Sequence, residues 1–194
     1  MANKVFALVG PYASGKSTLI SKLIDLGVHY IPVYSTSDAM RLKKDTRIVN
    51  FVSKSAFSKG DWMVKVAYKG DYYGISKQNM LESVKNNRVS VTILDQNGVK
   101  QLSKLMSGHL RTIYLMSDYV NLVDRMLRLG LNNMDMKYHL EYAESNNEFN
   151  FWKMADYIIK NTTDIDTAFN QLMAIMGLSV NAPRDVIMKL NQTM

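Results

Sequence analysis

Cysteine is missing from all 194 residues of the chain, which excludes a disulfide framework, a thiolate metal site and a cysteine nucleophile. Only three histidines occur, His29, His109 and His139. They share no i,i+4 spacing, so a zinc site is not expected. Proline is equally scarce at three residues, and neither a low-complexity tract nor an internal repeat interrupts the chain. No run approaches the roughly 18 apolar residues of a membrane span. The apolar segment Val5–Val9 stops at Gly10, too short for the core of a signal peptide. A soluble, cytoplasmic protein is the expectation.

Length and charge narrow the class further. A chain of this size suits one domain, with or without inserted flaps, and buries a substantial core. Its 24 basic residues outnumber 17 acidic ones, for a formal charge of +7. The basic residues are scattered, with Lys43-Lys44 the one adjacent pair, and no arginine-rich tail appears. This pattern argues against nucleic acid as the main ligand and fits a basic cleft that grips phosphorylated small molecules. The 14 methionines read as adaptable core filler.

The most informative stretch is Gly10-Pro11-Tyr12-Ala13-Ser14-Gly15-Lys16-Ser17. It fits G-x-x-x-x-G-K-[ST], a loop that wraps nucleotide phosphates. The buried-strand pattern Val5–Val9 precedes it and a helical pattern follows from Ser17, the context the motif requires. Gly10 and Gly15 let the backbone turn its N–H groups inward. The helix start adds its positive dipole end. Lys16 supplies a cation for the β- and γ-phosphates, and the Ser17 hydroxyl is a ligand for the Mg2+ they carry. The chain is therefore expected to bind a nucleoside triphosphate.

Four apolar segments read as strands of a parallel sheet: Val5–Val9, Val89–Leu94, Arg111–Met116 and Tyr157–Lys160. Helical patterns lie between and after them at Leu19–Leu26, Ser76–Asn87, Gly98–Met106, Asp118–Leu129, Asp135–Glu148 and Asp164–Met176. Alternation of this kind predicts an α/β fold, a three-layer sandwich around a mainly parallel sheet. Two stretches break the rhythm. Residues 34–74 hold short β-like pieces (Ile48–Val52, Trp62–Tyr68) and predict a small inserted β-rich domain. Residues 129–150 are polar, Asn-rich and suited to a mobile lid. The expected division is a core over 1–33, an inserted acceptor-binding part with its return helix over 34–88, core again over 89–128, a lid over 129–150, and core with C-terminal helices over 151–194. Trp62 and Trp152 are read as core residues, and Arg184–Leu190 as a terminal helix.

The phosphate loop with its own substitutions, Gly10-Pro11-x-x-x-Gly15-Lys16-Ser17-Thr18-Leu19, resembles the guanylate kinase family. The resemblance runs on in order through Ser37-x-x-x-Arg41-x-x-Lys44, Asn50-Phe51-Val52-Ser53 and Gly70-Asp71-Tyr72-Tyr73-Gly74. It continues in Ile93-Leu94-Asp95 with Gly98-Val99-Lys100, and in Asp156-Tyr157-Ile158-Ile159-x-Asn161. It implies transfer of the γ-phosphoryl group of ATP, with Mg2+ as cofactor, to the 5′-phosphate of GMP or dGMP. On this resemblance the ATP side is Gly10 through Thr18 with Asn161. The acceptor side is Ser37, Arg41, Lys44, Tyr73, Gly74 and Asp95. Arg125 and Arg128, three apart on one helix face, are similar to the family's lid arginines, and Lys16, Arg41, Arg125 and Arg128 form the catalytic set. ATP and a nucleoside monophosphate are the expected partners, and the chain is expected to be a monomer or homodimer.

Departures from the family pattern fall on the acceptor side. Val64 stands where the family reads guanine with a carboxylate, Val49 where it has a phosphate-binding tyrosine, and His139 at a lid position normally arginine. Two other readings follow: the same chemistry on a different nucleoside monophosphate, or a non-catalytic guanylate-kinase-like module that binds protein. Intact Lys16 and Ser17 argue against the module. A P-loop ATPase or translocase would need an acidic base for water, which is not evident.

Overall fold

A computed structural model describes residues 3–37, 46–106, 108–162 and 164–178. The expected terminal helix at 184–190 lies outside them. Five strands form one parallel sheet: β1 (Lys4–Val9), β2 (His29–Tyr30), β7 (Val89–Ile93), β8 (Leu110–Met116) and β9 (Tyr157–Lys160), in the order β2-β7-β1-β8-β9. β1 is central and buried on both faces, as its unbroken apolar sequence requires. Alternate side chains leave it in opposite directions. Val5, Ala7 and Val9 join one core with Val99, Leu102 and Met106. Phe6 and Leu8 join the other with Leu19, Ile20, Leu23, Ala168 and Leu172. Helices α1 (Lys16–Asp25) and α7 (Ile165–Ile175) thus cover one face, and α4 (Gln96–Met106) the other. The fold is α/β and three-layered around a parallel sheet.

A second sheet is built from β3 (Val33–Ser35), β4 (Val49–Phe51), β5 (Trp62–Tyr68) and β6 (Asp71–Ser76), in the order β4-β3-β6-β5. β3 and β4 run parallel and the other pairings are antiparallel. Between β4 and β5 lies the short α2 (Lys54–Lys59), and behind β6 comes α3 (Lys77–Asn86). Strand β5 alternates: Val64 and Val66 are buried and Lys65 and Ala67 exposed. The buried residues enter the same core as Val5, Leu94 and Val99. Gln101 of α4 fastens this strand, its Oε1 accepting from the Lys65 amide at 3.0 Å and its Nε2 donating to the Lys65 carbonyl at 2.9 Å. The inner face of the small sheet therefore packs on the main domain directly.

Helices α5 (Tyr119–Arg128) and α6 (Asn133–Ser145) make a helical hairpin with its own small core of Leu122, Met126, Met136 and Leu140. Tyr12 and Ala13 of the phosphate loop pack against it. Side-chain caps start most helices. Ser53, Ser76, Asp118, Asn132 and Asp164 each accept from a first-turn amide of α2, α3, α5, α6 and α7, as these residue types do best.

Two expectations need revision, and one strand has no counterpart among them. The reading of 135–148 as one helix fails at Asn147, which is left-handed with φ 55°. A 3-10 turn, Glu148–Lys153, follows it and buries Phe151. The two-residue β2 carried too little sequence for a periodic signal. Trp152, read as core, is 38% exposed, whereas Trp62 is half-buried with its Nε1 donating to the Phe57 carbonyl at 2.6 Å.

Candidate functional site

The loop between β1 and α1 has the backbone that its sequence calls for. Gly10 has φ 149° and Gly15 φ 102°, both in the region that side chains rarely adopt. A Cβ on Gly10 would lie 2.7 Å from the Leu115 carbonyl oxygen, and one on Gly15 2.5 Å from Asn161 Nδ2. Ala13 also has positive φ, 62°. The Pro11 carbonyl accepts from the Ser14 amide at 3.2 Å, which closes the turn. Helix α1 alone of those named above begins at a residue with no side chain, Gly15, and has no side-chain cap. Its first-turn N–H groups, those of Lys16, Ser17 and Thr18, thus lack the side-chain acceptor that the capped helices provide, which suits an anion.

Lys16 folds across this loop. Its Nζ donates to the Gly10 carbonyl at 2.6 Å, the Pro11 carbonyl at 2.8 Å and Ser14 Oγ at 3.3 Å. The ammonium thus sits over the cradle, on a flexible stem that reaches any phosphate bound there. Ser17 is half-buried in the first turn of α1, and Thr18 is exposed.

Two side chains strap the loop from outside. Asn161, 1% exposed at the end of β9, donates from Nδ2 to the Ser14 carbonyl at 2.8 Å. Its Oδ1 is buried and finds no hydrogen-bond partner among the described residues. Arg125 of α5 donates to the Asn161 carbonyl at 2.7 Å and, at 3.4 Å each, to the Ser14 carbonyl and Ser117 Oγ. Burial lowers the pKa of its guanidinium from the ordinary arginine value, yet arginine stays charged in proteins. Arg128 does not join it: the side chain is 78% exposed and pairs with Asp124 at 2.9 Å. The i,i+3 spacing put both arginines on one helix face, but only the first reaches the loop.

The residues expected on the acceptor side are more dispersed. Ser37 is half-buried, its amide donating to Ser35 Oγ at 3.2 Å. Arg41 and Lys44 lie outside the described residues. Gly74 is buried in β6 where β5 crosses closely, and a Cβ there would lie 2.3 Å from the Val64 carbonyl oxygen. Asp95, at the end of β7, accepts from the Gly98 amide at 2.7 Å and so caps α4. It also hydrogen-bonds the Tyr73 hydroxyl; burial first, and then the Asp95 charge, hold that phenol protonated. Val64 is fully buried, and a Cβ on Gly98 would meet it at 3.2 Å. The position is an apolar contact between the two sheets' supports, with no acceptor to offer a base.

Glu148 escaped the sequence reading. It belongs to the 3-10 turn, and its carboxyl is raised above the ordinary range by burial first. The Lys16 cation opposes this shift and Asp95 adds to it. Tyr114 and Tyr142 are each pushed up to about 12 by burial, with Glu148 contributing to both. A carboxyl, a lysine and two tyrosines from four elements therefore share one electrostatic environment. No periodicity announces such a residue; only the left-handed turn at Asn147 brings it in.

No group of three or more His, Asp or Glu side chains arranged to hold a metal ion occurs among the described residues. The Ser17 hydroxyl in the first turn of α1 is an oxygen donor of the kind that suits Mg2+. No helix among the described residues is long and apolar enough to cross a membrane.

A family model described as guanylate kinase matches residues 2–178. The chain is 26% identical to guanylate kinase of Bartonella henselae over 163 residues, 81% of this chain and 73% of that one. It is 22% identical to guanylate kinase of a Synechocystis strain over 182 residues, 90% of this chain and 93% of that one. Among solved structures, the crystal structure of guanylate kinase from Anaplasma phagocytophilum superposes with a TM-score of 0.68 at 20% identity, covering 91% of this chain and 85% of that chain. At that identity the likeness speaks for the fold.

Proposed function

The chain belongs to the guanylate kinase family, and on that premise we propose that it is an ATP-dependent nucleoside monophosphate kinase that phosphorylates GMP or dGMP. The observation that carries the reading is the phosphate loop: Gly10 and Gly15 turned into the positive-φ region, an uncapped α1, and Lys16 held over the cradle by three loop oxygens.

Phosphoryl transfer asks the protein for little covalent chemistry and much positioning. First-turn amides of α1 bind the donor's phosphate oxygens. Lys16 exchanges carbonyl partners for the β- and γ-oxygens, so its charge meets the charge that develops there. Arg125 keeps the loop in shape through Ser14 and Asn161 and adds a cation on the lid side. Arg128 would join it only by leaving Asp124. Asn161 borders the donor site. Ser17, together with the phosphates, would hold Mg2+, which when bound would supply charge neutralisation. On the acceptor side, Arg41 and Lys44 hold the 5′-phosphate, Tyr73 keeps a neutral hydroxyl for it, and Ser37 and Asp95 face the base, with Gly74 giving backbone approach. Residues 34–88 serve as the acceptor domain and 129–150 as the lid. A cytoplasmic location is in keeping with nucleotide substrates of this kind.

The test is a coupled ADP-release assay with Mg-ATP and a panel of ribo- and deoxyribonucleoside monophosphates. Release with GMP or dGMP and not with the others supports the reading. Buried, apolar Val64 favours one rival, the same chemistry on a base that needs no carboxylate from β5. A different preferred acceptor in the panel would select that rival. Absence of release with every acceptor, with ATP still bound, would favour a binding module.

A further inference from the structure

The hairpin joining β5 to β6 turns through Lys69 and Gly70, with φ 53° and 78°, while Tyr68 pairs with Asp71. Two consecutive residues of positive φ make the tight turn that favours Asn-Gly or Gly-Gly. Lysine at the first place is an unfavourable choice, since a left-handed conformation costs a side-chain-bearing residue free energy that glycine does not lose. Backbone outliers of this kind persist where something else fixes them. Here Lys69 Nζ lies 2.7 Å from Asp135 Oδ1 and 4.8 Å from the centre of the Tyr138 ring, both on α6.

The next residue back makes a second link. The Tyr68 hydroxyl and His139 Nδ1 are 2.6 Å apart, and the Tyr68 ring meets the edge of Tyr142 at 4.5 Å between centres. The other face of His139 belongs to the phosphate loop: its ring stacks on Tyr12 with centres 3.9 Å apart and planes 7° from parallel. One imidazole therefore joins the loop, the lid helix and the tip of the small sheet, three parts separated by more than fifty residues of chain at each step.

We propose that His139 and Lys69 are positioning residues, which strap the acceptor sheet to the lid and the phosphate loop so that the chain's own side chains close the site. The inference rests on the kinase reading for its catalytic consequence. Water competes with the acceptor for a phosphoryl group, so a lid that closes only together with the acceptor sheet protects ATP until both sides are assembled. The imidazole works through its shape and hydrogen bond, and Lys69 through its reach. Neither touches a reacting atom.

Absence of native cysteine allows spin labels to be placed at will. Labels at Ser55→Cys on α2 and Met134→Cys on α6, both exposed positions, report the distance between the small sheet and the lid without any nucleotide. The strap predicts one narrow distance distribution, which Lys69→Gly or His139→Ala broadens and shifts to longer distance. A distribution already broad in the labelled parent, or one unmoved by both substitutions, overturns it. In the assay, Lys69→Gly should melt no lower than the parent, because it removes the unfavourable turn residue. Its kcat should nevertheless fall about fivefold, the scale of one hydrogen-bond-sized contact, with KM for ATP unchanged. Lys69→Arg should restore the rate. Parent-like kcat in Lys69→Gly would sink the catalytic part. If no acceptor in the panel reacts, the kinase reading fails, and the label distances still decide the strap.

Discussion

The phosphate loop and the proposed acceptor side are assembled by different routes. Gly10 through Thr18 is one uninterrupted stretch whose positive-φ glycines, uncapped helix start and lysine are all consequences of local sequence. The groups facing it come from β5, β6, the end of β7, α6 and the turn at Glu148. The first is a motif and the second a meeting place. A locally encoded site is robust to changes elsewhere; a convergent one depends on each element that contributes to it.

The largest effect that tests this contrast is Lys16→Ala. The side chain bonds the Gly10 and Pro11 carbonyls and Ser14 Oγ and belongs to none of the apolar core clusters. Turnover should fall by roughly a hundred- to a thousandfold, with the circular dichroism spectrum and melting temperature preserved. Unfolding of that variant would mean that the loop is not the self-contained unit described above. On the convergent side, Gly74→Ala should destabilise by about 3 kcal/mol, because its Cβ meets backbone, the Val64 carbonyl at 2.3 Å, with no flexible group to move aside. Denaturant midpoints give the value, and a loss under 1 kcal/mol would mean that β5 and β6 can part.

Arg125 and Arg128 sharpen the contrast within one helix. Arg125→Ala removes straps to Asn161 and Ser14 and should cost about 2 kcal/mol of stability together with activity. Arg128→Ala, losing one exposed pair with Asp124, should change stability by less than about 0.5 kcal/mol. Equal losses would put both arginines on the loop in solution. The smallest effect concerns Glu148. Its carboxyl titrates above the ordinary range when folded, so the folded state binds its proton more tightly than the unfolded one does. Its favourable contribution is complete below the unfolded carboxyl's range and is lost as pH rises through the folded value. Glu148→Gln should therefore raise the melting temperature at pH 7 and change it little at pH 4. A lowered melting temperature at pH 7 would mean that attraction to Lys16 outweighs burial.

Much of the frame was legible in the residues. Val5–Val9, Arg111–Met116 and Tyr157–Lys160 read as strands because buried parallel strands are continuous apolar runs. Ser76, Asp118 and Asp164 marked helix starts because a side-chain oxygen there satisfies a first-turn amide. His29–Tyr30 gave no signal, since two residues have no period. Local propensity runs the helix on to Glu148, because nothing in it requires Asn147 to go left-handed. The pairing of Arg125 with the loop, and of Arg128 with Asp124, could not be told from spacing that is the same for both.

By itself, then, the sequence determined the phosphate cradle, the layered parallel sheet and the presence of an inserted strand-rich segment. These depend on dihedral preferences, periodicity and caps that act within a few residues. Tertiary structure decided that Val64 is an apolar contact against α4, that Glu148 faces Lys16, and that Tyr12, Tyr68 and His139 meet. Such contacts join residues distant in the chain, and whether they form depends on how the small sheet and the lid pack against the core, which no local pattern encodes.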